Sequence, residues 1–315
     1  MHRRSLAVAV ILTACSMAVG ARGQQPPPGA KPEAMSLLGK PLYQIALAPD
    51  AKTSAEAALA QAREAVAKAP GSADAALWLG RRLAAAGRVR DAIDVLTRGA
   101  EKFPADARFL RHRGHRYVSV REFDMAIADL SKAVELRSGK PDEPEPSTGD
   151  PAVISSESLH YAIYYHLGLA HYLKGDFEKA LTVYRQCLAV AKGPTGNDDE
   201  IAGASDWLYM TLRRLGRTEE AAKVLEPIVP GMKVKDDQQY YDRLFMYKGL
   251  KKPDDILKPG ADPVSAATLA YGVANYYLYN GRKNEAMTLF EQIVTGPNWM
   301  PFGFIAAEAE LARMK

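Results

Sequence analysis

Leu110-Arg-His-Arg-Gly-His-Arg-Tyr117 packs three arginines and two histidines around one glycine. Alone, it suggests a metal site or a grip on nucleic acid. Its phase in the chain suggests a plainer origin. Gly114 lies 34 residues after Gly80, which sits in Leu77-Trp-Leu-Gly-Arg-Arg-Leu83, and the same offset links Ala92 to Ala126 and Leu96 to Leu130. A period of this length marks stacked helix-turn-helix units. Glycine and alanine at a helix crossing let two helices approach, and larger residues fill the layer between them. One such unit cannot bury its apolar face alone, so units must stack.

The rest of the chain agrees with an all-α protein. Of its 315 residues, 47% are hydrophobic and 25% charged, an ordinary globular balance dominated by Ala and Leu. The first residues read as an export signal. Arg3 and Arg4 precede an apolar run from Leu6 to Val19, too short for a comfortable span, and Ala21-Arg-Gly23 supplies small residues for cleavage. The expected signal is 1–23. A rival reading is the lipobox-like Leu12-Thr-Ala-Cys15, which would place a lipid on Cys15. Export follows from both: periplasmic or secreted in the first, lipid-anchored in the envelope in the second. Cleavage after Gly23 removes Arg3, Arg4 and Arg22, so the formal charge falls from +4 to +1. That argues against a nucleic-acid partner, and it leaves a membrane role only to a lipidated chain. Cys187 then stands alone, so no internal disulfide forms.

The repeat resembles the tetratricopeptide repeat (TPR), whose pattern is W-x2-L-G-x2-Y, then A-x3-F, then A, then P. The unit 73–106 carries Leu79, Gly80, Leu83, Gly87, Ala92, Leu96 and Pro104, and 107–140 carries Leu110, Gly114, Tyr117, Ala126, Leu130 and Ala133. The unit 161–194 carries Tyr164, Leu167, Gly168, His171, Gly175, Ala180 and Tyr184. Sparser matches fall near 202–235 (Leu208, Leu212, Gly216, Ala221, Leu225) and 267–300 (Tyr277, Gly281, Ala286, Phe290). The resemblance implies a right-handed α-solenoid of about five repeats across 53–315. Thr53-Ser-Ala-Glu56 reads as a capping box opening a half-repeat that ends before Pro70. Residues 24–52 read as a Pro-rich linker. Gly303 to Met314 reads as a C-terminal capping helix with Phe304, Ile305, Ala309 and Leu311 on its buried side. Two breaks are expected. Residues 138–153 form an acidic, Pro-rich insertion, and 236–260 a degenerate repeat whose second helix is short.

Catalytic and cofactor motifs are lacking. The sequence has no nucleophile elbow, no HExxH and no phosphate-binding glycine loop. His112 and His115 share a helix face, but Arg111, Arg113 and Arg116 crowd them, which disfavours a divalent cation. Cys187 reads as a packed small hydrophobe. No metal, no cofactor and no enzymatic activity are expected.

What remains is a groove. The resemblance implies that the first helix of each unit lines it, through Arg81, then Arg108, Arg111 and His115, then Tyr165 and Tyr172. Further along it implies Asp206, Met210 and Arg213, then Tyr271, Asn275 and Tyr279. Arg113 and Arg116 are expected on other faces. The basic end suits an acidic side chain or C-terminal carboxylate, because a guanidinium binds carboxylate through two parallel bonds. It uses arginine where the family's best-known carboxylate site uses Lys and Asn. The acidic insertion leaves the array beside this basic unit, so residues 141–150 are placed to fold back over it. The expected function is a non-enzymatic protein-binding adaptor or scaffold in the bacterial envelope, with a protein or peptide in the groove. The alternative is a structural subunit of an envelope complex, held through the convex face. The overall plan, with an export signal, a degenerate centre and Tyr276-Tyr-Leu-Tyr-Asn-Gly281 before a closing helix, loosely resembles periplasmic TPR lipoproteins that scaffold envelope proteases and cell-wall hydrolases.

Overall fold

The computed structural model describes residues 29–146, 154–257 and 262–314. The signal segment, Cys15 and the middle of the acidic insertion lie outside the described residues. The chain divides at Ala30, and the elements below belong to the unit that begins at Lys31.

A two-stranded antiparallel pair, β1 (Ala34–Met35) and β2 (Pro41–Leu42), opens this unit. The helix α1 (Pro49–Lys68) follows, with Pro49 in its first turn where a missing N–H costs nothing. Then come the pairs α2 (Ala73–Ala85) and α3 (Val89–Lys102), and α4 (Ala107–Ser119) and α5 (Phe123–Arg137). Ser72 and Asp106 cap α2 and α4 by accepting backbone N–H groups of Ala75 and Arg108. A second hairpin, β3 (Pro144–Pro146) and β4 (Ile154–Ser158), leads into α6 (Leu159–Lys174) and α7 (Phe177–Ala191). The array continues with α8 (Asp198–Arg214), α9 (Thr218–Leu225), α10 (Gln238–Tyr247) and the single turn α11 (Pro253–Ile256). It ends with α12 (Pro263–Tyr279), α13 (Lys283–Ile293) and α14 (Phe302–Arg313). The architecture is an all-α, TPR-like solenoid with two small hairpins.

The crossings show why the periodic glycines are there. A Cβ on Gly80 would lie 2.8 Å from Leu96, on Gly114 2.7 Å from Leu130, and on Gly168 2.9 Å from Tyr184. In each pair the second helix drops its large residue onto the bare backbone of the first. The turn between helices also repeats. Gly87, Gly175, Gly216 and Gly281 hold left-handed φ values of +75°, +93°, +72° and +80°. In the α4–α5 turn that position is Arg121, with φ +67°. A side chain there is strained by roughly 1–2 kcal/mol. Its surroundings explain why it persists. Arg121 is buried, donates to Glu308 of α14 at 2.9 Å, and also bonds the carbonyls of Trp299 and Ser119.

Part of the expected linker is folded. Leu37, Leu38, Leu42 and Ile45 pack on the main core. Arg90 bonds Glu33, Gln44 bonds the Ala86 carbonyl, and Trp299 donates its indole N–H to the Tyr43 carbonyl at 2.7 Å. The helix expected to open at Thr53 begins at Pro49, inside the expected linker, and Thr53 lies within it with its hydroxyl on the Pro49 carbonyl.

The closing helix does more than cover the last pair. Nine of its residues are buried, including Glu308 and Glu310, each 1% exposed. It packs on α12, α13 and α6. Phe302 meets His115 and His166, Glu308 meets Arg121, and Glu310 meets Arg214 of α8 and Arg313. Arg313 donates to the Leu173 carbonyl. One helix thus ties together α4, α6, α8 and α12. Gly303 permits the approach, because a Cβ there would strike the Ala267 carbonyl.

Candidate binding site on the inner face

The helix α14 divides the inner face into a sealed part and an open part. The sealed part takes in most of the expected aromatic groove. Tyr172 is fully buried, and its hydroxyl accepts from Tyr271 at 2.9 Å and Asn275 at 2.8 Å. Tyr271 stacks on Trp207, and Trp207 donates to the Tyr165 hydroxyl, which shares a bond with Tyr240. Asp206 and Met210 are fully buried against Arg243, whose guanidinium lies 2.5 Å from the Asp206 carboxylate and 3.0 Å from the Met210 sulfur. Burial works against the charge on Arg243, but Asp206 outweighs it and keeps it charged. Six expected groove residues, Tyr165, Tyr172, Asp206, Met210, Tyr271 and Asn275, are therefore core. The physical reason is the tight approach of α10, α12 and α14: Tyr165, Tyr172, Asp206, Tyr271 and Asn275 each find a protein partner where the repeat pattern alone would leave them facing solvent. Gly272 marks this approach, since a Cβ there would overlap Arg243. Arg213 and Tyr279 lie at the far rim. Arg213 bonds Tyr209 and Asn280 and covers the Tyr279 ring at 4.4 Å.

The open part lies on α2 and α4. A cavity of about 220 Å3 there is lined by Gly80, Arg81, Ala84, Ala85, Leu96, Arg111, His112, His115 and Arg116. Arg108 is absent from it. That side chain grips Asp106 with two of its nitrogens and Asp74 at 2.8 Å, so it serves the cap of α4 and is withdrawn from the expected groove set. Arg113 likewise holds Asp129 through two bonds of 2.7 Å. Arg116 does not stay on another face, as its register suggests. Its long side chain reaches the cavity wall.

The acidic insertion does fold back. Glu145, 4% exposed, sits 3.0 Å from Arg111 Nε and 3.8 Å from His112, and Arg111 also donates to Glu157 at 3.1 Å. Asp142 anchors the base of the hairpin by accepting the backbone N–H of His160 and the hydroxyl of Thr195. The outcome is a fixed wall. Arg111 is neutralised within the protein.

Arg116 is not. Among the described residues its side chain has no hydrogen bond and no counter-charge. Burial and the charges of Arg111 and Arg81 push its guanidinium down to about 9. Arg81, stacked over Trp78 at 4.1 Å, is pushed down to about 10, mainly by burial. The His115 ring meets that of His166, tilted, at 4.2 Å between centroids, and its Nδ1 is buried without a partner. Burial and neighbouring cations hold His112, His115 and His166 well below the usual histidine range, so these rings are neutral. The arrangement can neutralise an anion. It offers no nucleophile: Cys187 is fully buried and its thiol is pushed well up by burial.

Residues 51–111 and 161–194 match sequence profiles of the tetratricopeptide repeat. The chain carries tetratricopeptide repeats. Similar solved structures include a TPR protein from Parabacteroides merdae, with 15% identity, a TM-score of 0.49, and coverage of 83% of this chain and 93% of its own. Another is YrrB, described as a TPR protein with an unusual peptide-binding site, at 14% identity, a TM-score of 0.42, and 79% and 97% coverage. No curated protein sequence matches the chain. What the chain adds to its repeats is the inner seal by α14: the sequence places this helix and its buried Phe304, Ile305, Ala309 and Leu311, but not its seat on the inner face. Its traces are Gly272, Gly303 and a helix, α12, that carries no charged side chain.

Proposed function

We propose that this chain is a non-enzymatic adaptor of the bacterial envelope, and that it holds an acidic segment of a partner protein at the open part of its inner face. The observation that carries the reading is the Arg116 cavity. A half-buried guanidinium without a counter-charge is costly, and a carboxylate entering beside Arg81 and Arg116 offsets that cost. The TPR repeats support the adaptor role. The export signal supports the location, with lipidation at Cys15 as its anchored form. The sealed aromatic part leaves the cationic part as the accessible stretch of the face.

The test is a crosslinking capture from the native envelope fraction. Wild type is compared with Arg81→Glu/Arg116→Glu, and the intact mass of the bait is read. A partner retained by wild type and lost by the double variant supports the site. A partner kept by both moves the interaction to the convex face, as in a structural subunit. The bait's mass distinguishes a cut after Gly23 from a lipid on Cys15.

A further inference from the structure

Three imidazoles gather at the open part of the inner face, and they differ in what holds them. His112 is committed at both nitrogens. Its Nδ1 accepts from Arg111 at 3.1 Å, and its Nε2 lies 3.8 Å from Glu145. His166 is 3% exposed, and its Nδ1 donates to the Ala162 carbonyl at 2.6 Å. His115 has no such commitment. It is half-buried and lines the same cavity as Arg81, Arg111 and Arg116. Its ring sits against those of His166 and Phe302, at 4.2 and 5.2 Å between centroids. Its Nδ1 is sealed, so Nε2 is the nitrogen left to face the cavity. On the sealed side, Ala162 fixes the tautomer of His166, so His166 Nε2 carries a lone pair that is also buried without a partner. A second N–H on His115 therefore faces a ring that offers a lone pair.

We propose that the partner's acidic group is held between Arg116 and His115, and that it enters together with a proton taken up by His115, so that capture strengthens as pH falls. The inference rests on the adaptor reading and adds a second binding residue and the regulation of its site. The groups facing His115 set the sign. Arg111, His112 and Arg116 come from α4, Arg81 from α2, His166 from α6, and the uncharged Phe302 ring from α14. From the hairpin, Glu145 and Glu157 reach Arg111. Among the described residues no carboxylate acts on Arg116. Burial first, then Arg116, His166, Arg111 and His112, hold the His115 ring well below the usual histidine range. A bound carboxylate leaves the burial in place but opposes the cations, so it raises the affinity of His115 for a proton. Linkage runs both ways: a ligand that raises this proton affinity binds more tightly as pH falls. The imidazolium then donates its Nε2–H to the carboxylate, beside the Arg116 guanidinium. Glu145 is the competing proton acceptor, since burial pushes its carboxyl up.

The experiment uses the mature chain and the blocked tripeptide Gly-Glu-Gly, with Gly-Gln-Gly as the uncharged control. Calorimetry in two buffers of different ionisation enthalpy, at pH 7.5, 6.5 and 5.5, reads affinity and proton uptake together. The peptide's own carboxyl stays largely ionised across this range. The glutamate-dependent affinity should rise about tenfold from pH 7.5 to pH 5.5, with uptake approaching one proton. His115→Gln should lose both the rise and the uptake. Proton NMR of the wild type checks the assignment without any variant: the His115 C2 proton should titrate at higher pH with the peptide than without it. If binding takes up no proton, or if the uptake survives His115→Gln and so belongs to Glu145, the proposal is wrong. Binding that depends on Arg116 but not on pH overturns the proposal and leaves the adaptor reading standing. No glutamate-dependent binding at any pH overturns both.

Discussion

The two ends of this array solve the same packing problem differently. In α2 only four of thirteen residues are buried, and the first helices lean on small clusters such as Leu59 with Leu83, Ala84 and Ala92. In α6 thirteen of sixteen residues are buried, and in α8 thirteen of seventeen. The first is a solenoid in the ordinary sense, where each unit contacts its neighbours. The second has become globular, because α14 gives the inner face a core of its own. The contrast teaches where a ligand can go. A repeat surface is open by default and closes only where another element covers it.

Removing α14 should have the largest effect. A chain cut before Phe302 loses a helix with nine buried residues, uncovers the surfaces of α6, α12 and α13 on which it packs, and strands Arg121 and Arg214. The loss should rival the whole stability of a domain, roughly 5–15 kcal/mol. Hydrogen exchange should show protection vanishing in α6, α8 and α12, while α2 and α3 keep theirs. Equal loss at both ends would erase the comparison.

Glu308→Ala comes next. It leaves Arg121 buried and unpaired, in a backbone conformation that glycine holds elsewhere, and should cost about 3–5 kcal/mol by denaturant unfolding. Gly114→Ala in the open half forces Leu130 aside and should cost about 1–3 kcal/mol. A wild-type stability in that variant would count against the crossing described above.

The last effect concerns pH. Asp237 titrates near 8 in the folded chain, against the ordinary carboxylate range near 4 when unfolded. The folded state therefore holds the extra proton, and stability falls as pH rises from about 4 to about 8. Asp237→Asn removes that slope. Its melting temperature should gain on wild type steadily from pH 5 to pH 8, and parallel curves would show that the carboxyl is not perturbed.

These regions also differ in how well the sequence revealed them. The 34-residue phase made the crossings at Gly80, Gly114 and Gly168 readable, because each requirement is local to one helix pair. Arg111 and His115 were placed on the inner face by the same phase. Arg116 was missed because a long guanidinium can reach around its helix. Tyr172, Tyr271 and Asn275 were read as a lining, and they became core through partners 99 and 103 residues away. No short period encodes a contact at that range.

The position of α14 also bears on how the chain is made. It emerges after the thirteen other helices described here, yet Arg121 and Arg214 wait for its glutamates. During synthesis, the early repeats can assemble as they appear, but the inner face stays uncovered until α14 arrives. An interrupted chain would display stranded cations and bare tyrosine-lined surface, which marks it for proteases. Emergence of α14 and closure of the core are one event.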